Sequence, residues 1–180
     1  MNFQKYGALL GLLVAALLMP ASYASASIQT VAHVDVSRYA TTWYKIAGNP
    51  LFFEANCVCA IQKFSPGQNG AVNVTNSCNM TTPAGELRSI SGTATSEDPS
   101  TNARFSVDFG LPQKGEYWII GLDSDYRYAV VSDPSEKSLY ILSSTPTLDP
   151  ALYNEALMIA QKQVDTSKLQ MTLQTGCTYP

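Results

Sequence analysis

The chain has 180 residues, a formal net charge of −3 and only 14% charged side chains, with Lys and Arg scattered along it. Displacing counterions from nucleic acid needs a dense basic patch, so no nucleic-acid partner is expected. The single histidine, His33, falls in an amino-terminal tail, which takes the central residue away from Ser-His-Asp hydrolysis and from histidine-based zinc chemistry.

In chain order, Lys5 precedes an apolar run from Gly7 to Met19, and Ala24-Ser25-Ala26 stands at the spacing of a signal-peptidase site. The run is too short to span a bilayer, so residues 1–26 read as a signal peptide and residues 27–180 as a single domain of about 154 residues. The first cysteine is Cys57, far from the cleavage region, and no amino-terminal lipid anchor is expected. Export leads to the periplasm in a Gram-negative source and to secretion otherwise.

Arg38–Ala47 carries an aromatic pair among small apolar residues and reads as a first strand. Cys57, Cys59, Cys78 and Cys177 in an exported chain predict two disulfides, for which three connectivities exist. Cys57-Val58-Cys59 is CxC, with no histidine nearby, so no metal site is expected. Ala60–Phe64 and Val72–Thr75 flank Pro66-Gly67-Gln68-Asn69-Gly70 and form a hairpin, since Asn-Gly tolerates positive φ. Strands follow near Leu87–Ala94 and at Arg104–Phe109, where Phe105, Val107 and Phe109 alternate with Arg104, Ser106 and Asp108. Tyr117–Leu122, Tyr126–Ser132 and Ser138–Ser143 bring the total to about eight, enough to close an all-β antiparallel barrel. Asp149 and Pro150 then open a helix to about Gln163, and Leu169–Thr175 alternates as a short final strand.

This order, an up-and-down barrel followed by one helix and a last strand, resembles that of the lipocalins. Arg38–Ala47 with Phe53-Glu54 resembles the first lipocalin motif, as it stands in bacterial outer-membrane lipocalins and the apolipoprotein D group. Leu122–Val131 is similar to the second motif and Leu139–Leu148 to the third. Two positions depart from the family pattern: Thr41 replaces a glycine two residues before Trp43, and Ser144 replaces an arginine before Thr145-Pro146. Trp43 is implied to plug the closed end, and Thr41 and Ser144 are expected to lie together beneath it.

The resemblance implies a carrier of small hydrophobic ligands of fatty acid or lysophospholipid type, with no cofactor. Cavity candidates are Phe64, Val74, Ile90, Phe105, Val107, Tyr117, Ile119, Tyr128 and Tyr140, and a mouth that touches a membrane transiently is compatible with this reading. The apolipoprotein D group implies Cys57–Cys177, leaving Cys59–Cys78 to pair across the hairpin if Ser65 faces Val72. The alternative is Cys59–Cys177 with Cys57–Cys78. Glu54, Asp98 and Asp108 read as loop or outer-face charges, and nothing resembles a catalytic set. Two other functions stand beside the carrier: a lipid isomerase using Cys57 or Cys59 as a free thiol, and a protein-binding module acting through Ser65–Ala71 and Asp133–Lys137.

Overall fold

The computed structural model describes residues 28–180; the signal-peptide reading of residues 1–26 lies outside the described residues. Asp35 caps a one-turn helix α1 (Val36–Tyr39), its Oδ1 accepting the Ser37 N–H at 2.9 Å. Eight strands follow: β1 (Thr42–Gly48), β2 (Cys57–Pro66), β3 (Val72–Met80), β4 (Leu87–Ser96), β5 (Arg104–Asp108), β6 (Gly115–Leu122), β7 (Tyr128–Ser132) and β8 (Leu139–Ser143). Each is antiparallel to the next, and β1 pairs with both β8 and β2, which closes the barrel. Helix α2 (Pro150–Gln161) has Asp149 as its cap, with Oδ1 accepting the Ala151 N–H at 2.8 Å, and Pro150 in its first turn.

The last strand, β9 (Gln170–Met171), is shorter than the alternation over Leu169–Thr175 predicts. The reason lies at the seam between β1 and β2, which pair only from Thr42↔Lys63 to Tyr44↔Ile61 and then part. The tail fills the gap by bonding to both strands. β9 pairs with Ala47 and Gly48, Cys59 N–H donates to Leu173 O at 2.8 Å, and Gln174 Nε2 donates to both Lys45 O (2.9 Å) and Ala60 O (2.8 Å).

The disulfides correct the expected pairing, because they join Cys57 to Cys78 and Cys59 to Cys177. Ser65 stands opposite Asn73, one residue off the register that Cys59–Cys78 requires. Further along, Val58 pairs with Asn79 but Ile61 with Ser77, so Cys59 and Ala60 together oppose Cys78 in a β-bulge, with Cys59 at φ +54°. On a regular strand Cys57 and Cys59 would share a face. The extra residue turns them apart, so Cys57 stays in the row of Cys78 and Met80 while Cys59 meets the tail.

Two apolar clusters follow from the alternation of the strands. One fills the barrel, with Trp43, Phe64, Val74, Phe105, Val107, Ile119 and Leu142 among its members. The other lies between the barrel wall and α2, where Ala156 and Ala160 meet Ile120, Val130 and Ile141. Tyr128 belongs to this second cluster, which corrects its assignment to the cavity. All five residues of β7 are buried, so polarity does not alternate there to mark which face is inward.

The turn from β6 to β7 is held by one carboxylate. Asp123 accepts the backbone N–H groups of Asp125 and Arg127 and both Nε and Nη2 of the Arg127 guanidinium. The Arg127 hydrogen bonds hold its pKa down at about 2, below the usual 3.8. A depressed folded-state pKa stabilises the fold above the unfolded value, and that contribution disappears as pH falls through about 2. Asp123→Asn is therefore expected to cost about 1–3 kcal/mol at neutral pH. In denaturation curves taken across pH, the gap to the unsubstituted protein should narrow below about pH 4.

Candidate functional site in the barrel interior

The barrel has a packed end and an open end. At the packed end Trp43 is fully buried, its Nε1 donates to Tyr39 O at 2.9 Å, and the two rings stand 4.9 Å apart. The Tyr39 and Tyr117 hydroxyls are 2.7 Å apart, and Tyr117 Oη donates to Gln62 Oε1 at 3.2 Å. Burial raises the pKa of both phenols, so they remain protonated and the chain of hydrogen bonds is neutral. Phe64 lies 5.7 Å from both tyrosine rings. The void left among Val36, Tyr39, Ala40, Phe64, Val72, Ala94, Phe105 and Tyr117 is about 10 Å³, at the lower limit for one water.

This floor redistributes the cavity candidates. Phe64, Val74, Phe105, Val107, Tyr117 and Ile119 do come together on the inward face, but as a filled core. Tyr140 is inward and stands higher, next to Lys45. Ile90 pairs with Asn76 in the row that contains Val74, yet it is 39% exposed. An inward residue is exposed only where the barrel is open, so Ile90 marks the mouth.

At the base, Thr41 is exposed and its carbonyl accepts from Phe64 N–H, while Ser144 bonds through both N–H and Oγ to Arg127 O. The pairing of β1 with β8 ends at Tyr44 and Ser143, so Ser144 lies one residue past the end of β8. The direct support of Trp43 is Tyr39, which the sequence reading left without a role. Also at this end, the Arg38 guanidinium lies 4.1 Å above the Tyr126 ring.

The open half contains a charge pair that the sequence reading also missed. Lys45 lies two residues beyond Trp43 on β1, hence on the same inward face, and its side chain is 9% exposed. Its Nζ is 2.5 Å from Glu54 Oε2 and 5.2 Å from the Tyr140 ring centroid. It crosses Gly48, where a Cβ would stand 2.4 Å from Lys45 Cε. Glu54 is a loop charge, as expected, but not an outward one: from a 3-10 turn, Phe52–Glu54, between β1 and β2, its carboxylate reaches the inward Lys45. Period-two alternation from Trp43 was the available signal for Lys45, whereas nothing local announces Glu54. Asp98 and Asp108 are loop and exposed charges as expected, bonded to Ser100 and Thr101 and facing Lys114 respectively.

At this end Phe52 is 90% and Phe53 66% exposed, and Leu111 on the β5–β6 loop is exposed as well. Asn76, on the inward row, has a buried Oδ1 with no protein hydrogen-bond partner.

A closed eight-stranded barrel with a solid floor, an open mouth and a helix packed on its outer wall is a calyx, the architecture of a small-ligand binder. The Lipocalin-like domain family matches residues 34–174, and the chain belongs to the lipocalin family. It is 33% identical over 150 residues to the outer membrane lipoprotein Blc of Escherichia coli K12, covering 83% of this chain and 84% of that one. Temperature-induced lipocalin-1 of Arabidopsis thaliana is 31% identical over 158 residues, with 82% and 83% covered. Apolipoprotein D of Rattus norvegicus is 28% identical over 153 residues, with 79% and 78% covered. Among solved structures, insecticyanin from the tobacco hornworm shares the fold at a TM-score of 0.65 and 21% identity, covering 84% of this chain and 88% of that one.

Proposed function

We propose that the protein is an exported, non-catalytic carrier or scavenger of a small amphiphile, of fatty acid or lysophospholipid type, held in the open half of the barrel. The observation that carries this reading is the exposure of Ile90 on the inward face, opposite a wall bearing Tyr140 and Lys45. Burying an acyl chain there is favourable by roughly 25 cal/mol per Å², and the few polar groups orient the head. Family membership and relatives that include an outer-membrane lipoprotein and an apolipoprotein support both the ligand class and export. Both CxC cysteines are in disulfides, which argues against a thiol isomerase.

Mass spectrometry of lipid extracted from the purified protein, followed by titration of the delipidated protein with a fluorescent fatty acid, tests the proposal. Copurifying lipid and saturable one-to-one binding are expected. If neither is seen, the carrier reading fails and a role for the loops on a protein partner takes its place.

A further inference from the structure

A Lys–Glu pair inside an apolar barrel calls for an explanation, because desolvating two charges commonly cancels the energy of their attraction. The turn that supplies Glu54 is anchored at its two ends, by Leu51 packed against the barrel core and by Cys57 bonded to Cys78, so its middle is held chiefly by the ion pair. None of Phe52, Phe53 and Glu54 counts as a buried residue, and the two phenylalanines stand out in solvent. Below the turn, Lys45 is laid across Gly48, its ammonium beside the Tyr140 ring and facing the mouth. The arrangement is that of an ammonium able to receive an anion inside the calyx, occupied by the chain's own carboxylate.

We propose that Lys45 is the receptor for the anionic head group of the ligand and that Glu54 is an internal stand-in for it. The carboxylate or phosphate oxygen of an incoming amphiphile replaces Glu54 Oε2 on Lys45 Nζ, and the Phe52–Glu54 turn is released. The exchange leaves the number of buried ion pairs unchanged, so a charge is never stranded in the barrel. A neutral amphiphile has no such exchange to offer. It binds with the latch closed, and the protein thereby distinguishes acids from alcohols of the same chain. This inference rests on the carrier reading above and names the head-group chemistry of that site.

The test compares oleate with oleyl alcohol by competition against one fluorescent acyl probe, using the delipidated protein. Glu54→Gln removes the competing carboxylate and is expected to tighten oleate binding about tenfold or more, while oleyl alcohol changes by less than about twofold. The double variant Lys45→Met/Glu54→Gln, which leaves no unpaired charge, is expected to lose that gain and to bind the two probes alike. Cooperative thermal unfolding and an unchanged near-ultraviolet circular dichroism spectrum certify that the barrel of each variant is folded. In hydrogen exchange, oleate but not the alcohol should speed exchange at residues 52–55 of the unsubstituted protein. If Glu54→Gln leaves oleate binding unchanged or weaker, or if the double variant retains the gain, the latch is wrong and the carrier reading stands. If neither probe binds the unsubstituted protein or Glu54→Gln, the carrier reading itself fails and takes the latch with it.

Discussion

Replacing Cys59 and Cys177 together by alanine is expected to lower stability by about 5 kcal/mol, against about 3 kcal/mol for Cys57 and Cys78. The difference comes from the sequence separations, 118 residues against 21, since the longer loop takes more entropy from the unfolded chain. The Cys59–Cys177 bond also anchors the tail at the β1–β2 seam, where Gln174 bonds to both strands. Urea denaturation of the two double variants checks the ranking. Hydrogen exchange should show the Thr172 and Cys59 amides, which donate to Ile46 O and Leu173 O, losing protection in the first variant and keeping it in the second. Equal losses of stability in both would mean that the tail does not hold the seam.

Trp43→Ala is the second large effect, expected at about 3–5 kcal/mol. The indole is fully buried and surrounded by the barrel's packed cluster, so little can collapse into the space it leaves. The substitution also removes the Nε1 donor from Tyr39 O. Thermal denaturation should show the loss, and Trp43→Phe should recover a large part of it by refilling the space without the donor.

Much of this fold was legible because β5 and the first strand alternate or carry recognisable motifs, and because Asp149-Pro150 announces α2 from the sequence. Bulges erase the same kind of signal. Nothing in Cys57-Val58-Cys59-Ala60 shows that one extra residue stands against Cys78, yet that residue decides which cysteine meets the tail. Burial on both faces erases it too, since β7 and β8 are hidden from solvent throughout and Tyr128 was read onto the wrong side. The site was less legible than the fold. Listing inward apolar residues found the floor of the barrel, and the difference between floor and open mouth depends on how Tyr39, Phe64 and Tyr117 pack together. Lys45 was within reach of a two-residue step from Trp43. Its partner Glu54 was not, because an irregular loop gives no period from which to predict a direction.

The claim that a ligand occupies the open half of the barrel is tested most directly by a crystal structure of the protein bound to a fatty acid carrying bromine at its chain terminus. The account predicts an anomalous peak inside the barrel above the Gln62–Tyr117 hydrogen bond, between the walls bearing Ile90 and Tyr140, with the carboxylate toward Lys45. A peak on the outer wall under α2, or within the packed floor around Phe64 and Trp43, would contradict it.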